Sequence, residues 1–388
     1  MVRIRNITLL SALTACLLTG CQQQTAWFGD KETARIDTLV REQIDKGSFP
    51  GAVILIGQGD KILYEEAFGH QVTEPFRRPM RKDTIFDTAS LAKPIATAAA
   101  VMILVDRGRL KLDDRVATYL PAFACEGKQE ARIEHLLTHA SGLPAYTNAK
   151  QLQGRFGSPC PNAVIEKICT LKALSTPGEE FRYSCLGYIT LSRIVEAVSG
   201  RTFDDFAGDN IFRPLKMRRT TYNPPQAWQV NIAATEVVDG RPLRGTVHDP
   251  LAGLMGGVSG NAGLFSNARD LSVYCRMLLG GGKLKGKRIL DRKTVAMMTT
   301  VQSHGRAYGF DVESSYSWIK GDYAPEGAFC HSGYTGTSIV CDPASGIYII
   351  ILTNRAHPHD KGKTKAIRKG IADIVFQAAA GSVAQTAQ

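Results

Sequence analysis

Apolar positions recur along this chain at two spacings. Within residues 33–46, Ile36, Leu39, Val40 and Ile44 fall on one face at helical spacing, which predicts an amphipathic helix closed by Pro50-Gly51. Residues 52–57 and 61–68 are split by Gln58-Gly59-Asp60 and read as a β-hairpin. Residues 90–106 are almost wholly apolar and predict a buried helix ended by Gly108. Pro94 is compatible with it, because the missing N–H of a first helical turn has no helical partner to lose. A further helix is expected over 132–139, broken by Ser141-Gly142-Leu143-Pro144, and another over 186–198, ended by Gly200. Residues 327–333, 337–342 and 346–352 read as strands joined by tight turns, and Ile367, Ile371, Ile374, Val375 and Ala378 mark a last helix.

This order implies an α/β fold. Both chain ends build one antiparallel sheet, flanked by N- and C-terminal helices, and the middle forms an inserted, mainly helical lobe. The expected boundaries are an α/β part over about 33–88 and 305–380, a lobe over about 89–304 and a tail over 381–388. A cleft between sheet and lobe is the place for a site. The sequence shows no repeat of 20–50 residues.

The first residues read as an address. Arg3 and Arg5 precede an apolar run over 7–18, then Leu18-Thr19-Gly20-Cys21. This is a secretory signal over 1–20 with small residues at the cleavage point, and it is similar to a lipobox whose cysteine, Cys21, is acylated. The earlier Leu13-Thr14-Ala15-Cys16 leaves too short an apolar core. The apolar run falls short of the roughly 20 residues that span a bilayer, and no later segment is expected to span one. Residues 21–32 read as a lipid-anchored tether. An exported membrane lipoprotein, facing the periplasm or cell exterior, is the expectation.

With 44% hydrophobic and 21% charged residues the composition is that of a globular protein. The net charge is +11, or +9 once Arg3 and Arg5 leave with the signal. The basic residues are scattered and no nucleic-acid motif is present, so a solvated basic surface is expected and nucleic acid is not a partner. Seven of the nine cysteines follow Cys21. Export permits disulfides; Cys125, Cys160 and Cys169 could supply one, and Cys330 could face Cys341 across a hairpin. Cysteine and histidine spacings give no zinc signature, and no metal or cofactor is implied. In particular His135 and His139 lack an intervening H-E-x-x-H glutamate and read as structural.

The chemistry centres on Ser90-x-x-Lys93. Three residues apart, the two side chains share one helix face, and a lysine there can take up or relay the serine proton. The pattern alone is weak; about one copy is expected by accident in a chain this long, and Ser317-Trp318-Ile319-Lys320 is such a copy. Three further segments distinguish Ser90: Tyr183-Ser184-Cys185 before a helix, His331-Ser332-Gly333 on a strand followed by Tyr334, and His135-Leu136-Leu137-Thr138-His139-Ala140-Ser141-Gly142. Together they resemble the serine β-lactamase and penicillin-binding-protein superfamily, in its class C and esterase-like branch, over residues 50–354. His248-Asp249 and Gly256-Gly257-Val258-Ser259-Gly260-Asn261-Ala262-Gly263 resemble a D-alanyl-D-alanine carboxypeptidase subgroup.

The resemblance implies a β-lactamase-like serine hydrolase without cofactor or metal. Ser90 would be acylated, Lys93 would ease its deprotonation and Tyr183 would act as general base. The N–H groups of Ser90 and Tyr334 would hold the oxyanion, and Gly333 would let substrate approach the strand. His331, Ser332, Gly333, Tyr334 and Cys185 would contact substrate. Two departures matter. Cys185 stands where the family has asparagine, and a thiol donates and accepts more weakly than an amide. His331 replaces the lysine of Lys-Thr-Gly, so a grip on a substrate carboxylate would fade as pH rises past about 6.5. Both argue against an efficient β-lactamase. The expected substrate is a D-alanyl peptide of peptidoglycan; a small ester or amide, weak β-lactam hydrolysis, or non-catalytic binding of penicillin or cell wall are the alternatives.

Overall fold

A computed structural model describes residues 27–386, with side chains to residue 381; the signal segment and Cys21 lie outside the described residues. Nine strands position the site: β1 (Gly51–Gln58), β2 (Lys61–Val72), β3 (Arg78–Pro79), β4 (Phe86–Asp87), β5 (Thr221–Tyr222), β6 (Leu264–Ser266), β7 (Phe329–Ser332), β8 (Ser338–Asp342) and β9 (Ile347–Thr353). Six form one antiparallel sheet in the order β7-β8-β9-β1-β2-β3, and β4-β6-β5 form a second. The helices used below are α1 (Asp30–Asp45), α2 (Ala99–Asp106), α3 (Cys185–Ser199), α4 (Ala268–Leu279) and α5 (Lys365–Thr386).

The chain ends meet because β1 pairs with β9, with Ile54 opposite Ile351. Strand side chains alternate between faces. Ala52, Ile54 and Ile56 of β1 and Ile347, Ile349 and Ile351 of β9 pack with Ile36 and Val40 of α1 and Ile367 and Ile371 of α5. Val53, Leu55, Ile350 and Leu352 point the other way, into a larger core with Leu271 and Cys275 of α4. A sheet apolar on both faces must be covered on both, which is why these strands read as continuous apolar runs. One cover was not expected: α4 comes from the stretch assigned to the lobe, yet packs on β1 and β9.

The buried helix departs from a regular α-helix. Ala89–Leu91 is a 3-10 turn, Lys93–Ala98 a π-turn, and only Ala99–Asp106 is α-helical. Pro94 has no N–H to give the ladder, and its carbonyl is taken by the Tyr274 hydroxyl at 2.8 Å. Residues Ala89–Asp106 are also long and apolar enough to cross a membrane, contrary to the expectation above, but 83% of this stretch is buried inside the fold. It is the central core helix.

The cysteine pairings are corrected. All seven described cysteines are free thiols. Cys330 lies opposite Val340 and Cys341 opposite Phe329, so the two sulfurs occupy opposite faces of the sheet. Cys125 instead donates to the carbonyl of Cys169 at 3.0 Å.

Tyr274→Phe removes the partner of a buried carbonyl in the π-turn. We expect a loss of about 1–3 kcal/mol, read as a lower urea midpoint with an unchanged m-value.

Candidate active site

The loop that carries Ser90 is pinned from both sides. Asp87, at the end of β4, is buried; its Oδ1 accepts from the Ala89 N–H at 2.9 Å and its Oδ2 from the His248 N–H at 2.7 Å. Thr88 donates its N–H and hydroxyl to the Leu264 carbonyl at 2.9 and 2.6 Å. The Thr335 and Thr337 hydroxyls donate to the carbonyls of Asp87 and Thr88 at 2.7 and 2.8 Å. So held, Ala89 adopts φ 47°. Such a left-handed alanine costs roughly 1–3 kcal/mol and persists only where surrounding bonds impose it.

Lys93 is fully buried. A buried ammonium is tolerated only when its donors are met. Here Nζ donates to Ser90 Oγ at 2.9 Å, to the Asn261 carbonyl at 3.0 Å and to Cys185 Sγ at 3.4 Å. It also lies 5.1 and 5.8 Å from the ring centroids of Tyr183 and Tyr188. Burial pulls the ammonium pKa down, while Cys185 and Tyr183 in their anionic forms pull it up, and the balance is upward. Tyr183 is half-buried beside Lys93 and Ser90 and lines the cavity. Burial pushes its phenol up, Lys93 opposes this, and the net shift is also upward. Each group's protonation therefore depends on the charge of the other.

His331 corrects the expected pH-dependent grip. On β7 it is only 2% exposed, with Nδ1 3.0 Å from the Ser332 carbonyl. Burial, then the charges of Arg306 and Lys93, hold its pKa well below 6.5. Its neutral form is favoured, so a cationic grip would need a lower pH than the 6.5 expected above. Gly333 is also required for a different reason. A Cβ there would lie 2.2 Å from Thr337 Oγ1 and 2.4 Å from the Thr88 carbonyl. The missing side chain lets the sheet approach the loop that carries Ser90.

A cavity of about 340 Å³ opens beside these groups, lined by Ser90, Tyr183, Ser332, Gly333 and Tyr334 together with residues the sequence did not single out. Tyr316 stacks on Tyr183 at 5.1 Å, and Trp318 stands near it. Arg355 and Arg368 bring positive charge. Arg355 donates to the Tyr334 carbonyl at 2.5 Å and to the Gly362 carbonyl at 3.2 Å, and pairs with Asp360. Arg368 donates to the carbonyls of Gly333 and Thr337 at 2.8 and 2.9 Å; burial and Arg355 lower its pKa to about 10. No local pattern marks these residues, because they arrive from different segments.

Other motifs acquire places. His139 is buried; its Nδ1 accepts from the Ser184 N–H at 3.0 Å, its carbonyl accepts from the Arg182 N–H at 2.8 Å, and its ring lies 4.3 Å from that of Tyr183. It fixes the Tyr183 loop. In the second Ser-x-x-Lys, Lys320 donates to the carbonyls of Val312 and Ala328 and Ser317 to that of Ser314. That copy is a strut under Trp318. His248 pairs with Glu236 at 2.7 Å and stacks on Tyr334, while the Tyr334 hydroxyl donates to Asp360 at 2.6 Å.

A buried lysine on a serine hydroxyl, beside a tyrosine and a sheet-edge strand, defines a serine hydrolase of the β-lactamase type. The chain belongs to the β-lactamase family: the family described simply as Beta-lactamase matches residues 36–373. It is 33% identical over 368 residues to a Bacillus subtilis (strain 168) protein named "N-acetylmuramyl-L-alanine amidase", covering 86% of this chain and 83% of that one. It is 32% identical over 387 residues to an Escherichia coli (strain K12) protein named "Putative D-alanyl-D-alanine carboxypeptidase", covering 90% and 88%. Its fold is similar to that of EstCE1, described as a hydrolase with promiscuous acyltransferase activity, with TM-score 0.73 and 24% identity over 89% of this chain and 98% of that one.

Gly333→Ala is expected to force the nucleophile loop away from the sheet and lower the labelling rate of Ser90 by a fluorophosphonate more than tenfold. Stability should also fall with acidity. His139 and His331 are both held well below 6.5, His139 by burial first. As pH falls through about 6.5 the unfolded chain takes up two protons that the folded chain refuses, so these histidines contribute a loss of about 2.7 kcal/mol in total between pH 7.5 and 5.5. Urea unfolding between pH 7.5 and 5.5 measures it, and His331→Gln should halve this part of the slope.

Proposed function

We propose that this chain is a cell-envelope serine hydrolase that cleaves an amide of peptidoglycan fragments through an acyl-enzyme on Ser90. The observation that carries the reading is the contact at 2.9 Å between the Nζ of the fully buried Lys93 and the Oγ of Ser90, which lines the cavity. Ser90 Oγ attacks the acyl carbon and its proton passes into the Lys93–Tyr183 pair. The N–H groups of Ser90 and Tyr334 receive the oxyanion; such donors are worth several kcal/mol in the transition state. The C–N bond breaks as the pair protonates the leaving amine, and water then hydrolyses the ester. The signal-like leader and Cys21 support retention at a membrane near the wall.

Two bonds fit the names of the relatives. One is the D-alanyl bond, with a carboxypeptidase-like outcome. The other joins N-acetylmuramic acid to L-alanine. With His331 held toward its neutral form, the cations nearest a substrate carboxylate at either bond are the cavity-lining Arg355 and Arg368. Small esters share the same acylation chemistry and serve as reporters. Incubation of the protein with a muropeptide mixture, followed by mass spectrometry, separates free D-alanine from free lactyl-sugar. Ser90→Ala should lower either product at least a thousandfold; equal release by mutant and wild type overturns the reading.

The pH profile supplies a second test. Lys93 and Tyr183 are both shifted upward, so the pair must lose one proton before it can accept that of Ser90. We expect kcat/KM to rise with unit slope from pH 6 to beyond 8. An acid limb centred near 6.5 that vanishes in His331→Gln would contradict this.

A further inference from the structure

The end of the fold where the described chain starts is basic. Trp27, the first described residue, donates its indole N–H to Gln58 Oε1 at 3.0 Å. Gln58 closes β1, and Gly59-Asp60 turns the chain into β2. Asp60 accepts from Arg276 Nε at 3.1 Å; Arg276 holds its carboxyl low, and the charge of Lys285 adds to this. Lys285 sits in the turn of a short hairpin in which Lys283–Leu284 pairs with Lys287–Arg288. Trp27, the β1–β2 turn and this hairpin therefore lie at one end of the molecule.

The hairpin holds four cations in six residues, Lys283, Lys285, Lys287 and Arg288, without an acid. All four are exposed. Arg288 donates to the carbonyls of Gly281 and Leu290 at 3.2 and 2.9 Å, which ties the hairpin to its base. Among the described residues the three lysines have no carboxylate at ion-pair distance; Asp60 is engaged by Arg276. Arg288 also stands opposite Lys283 in the ladder, and like charges so placed repel. An external anionic surface relieves that repulsion. Apolar surface adjoins the cations. Ile62, just past the β1–β2 turn, is 45% exposed, and Trp27 is half-buried with its ring near a right angle to that of Phe28. Lysines around an indole and an isolated aliphatic side chain match a bilayer interface, where phosphate headgroups meet the first methylenes.

The chain ahead of Trp27 selects the occupant. Cys21 precedes it by six residues, which span at most about 22 Å when fully extended. A lipid on Cys21 thus keeps this end of the fold beside a bilayer. We propose that this end is a membrane-docking surface, in which Lys283, Lys285 and Lys287 bind the phosphates of an anionic phospholipid bilayer. The proposal rests on the reading of Cys21 as acylated and adds a second hold to it. The lipid sets the distance, and the lysines lay the domain against the surface. Each such lysine contributes about a fivefold gain in binding, and salt screens the contribution.

Lysine footprinting of the full chain reconstituted in vesicles tests it. The protein is acetylated by a neutral N-hydroxysuccinimide ester on vesicles of phosphatidylcholine, alone or mixed with phosphatidylglycerol, and then digested for mass spectrometry. The exposed Lys150 is the internal reference. We expect Lys283, Lys285 and Lys287 to react about fivefold more slowly on the anionic vesicles, and high salt to restore their rates. Lys61, at the β1–β2 turn, should share the protection and lose it in the triple variant Lys283→Gln, Lys285→Gln, Lys287→Gln. Equal rates on both kinds of vesicle, or undiminished protection of Lys61 in the triple variant, overturns the proposal. Protection by soluble polyphosphate but not by anionic vesicles also overturns it, because the occupant is then a free polyanion. The same spectra report the mass of the Cys21 peptide. Acylated Cys21 with unprotected lysines leaves the anchor standing and sinks the docking surface; unmodified Cys21 with protected lysines does the reverse.

Discussion

The burial of one ammonium group organises this molecule. Lys93 has no access to water, and its three donors are met by Ser90 Oγ, the Asn261 carbonyl and Cys185 Sγ. Each acceptor comes from a different stretch: the loop after β4, the glycine-rich segment before β6, and the first residue of α3. Removing a buried charge from water is repaid only by near-complete partnering. The three stretches must therefore converge for the charge to be tolerated, and their convergence creates the candidate site. The requirements for folding and for chemistry coincide at Nζ.

The charges around that centre are sorted by depth. His139 and His331 are buried against existing cations and stay neutral. Arg306 is neutralised by Asp311 in a fully enclosed pair. Two more guanidinium groups line the cavity, Arg355 paired with Asp360 and Arg368 bonded to two carbonyls. In the pattern that His331-Ser332-Gly333 resembles, a lysine would place a cation directly on the strand. Here that strand carries a histidine held toward its neutral form, and the arginines that line the cavity come from other segments.

Much of this was legible in the sequence. The alternating isoleucines of β9 and the apolar hairpin gave both faces of the sheet, because burial on both sides leaves continuous apolar runs. Ser90, Lys93 and Tyr183 were legible as motif positions and meet in space. Other features could not be read. Cys330 and Cys341 looked like hairpin partners, but a one-residue difference in register sends their sulfurs to opposite faces. Helix periodicity over 90–106 could not reveal the 3-10 and π turns, which follow from Pro94 and from bonds made by distant residues. Tyr316, Trp318, Arg355 and Arg368 carry no local signature.

The sequence by itself determined the candidate Ser90–Lys93 pair and the sheet that joins the two chain ends, because spacing and alternation are local physics. Only the tertiary structure decided the protonation state of His331, the reason for Gly333 and the charge of the cavity. Those depend on desolvation and on charges brought together from segments far apart in the chain, and no local pattern encodes such a distance.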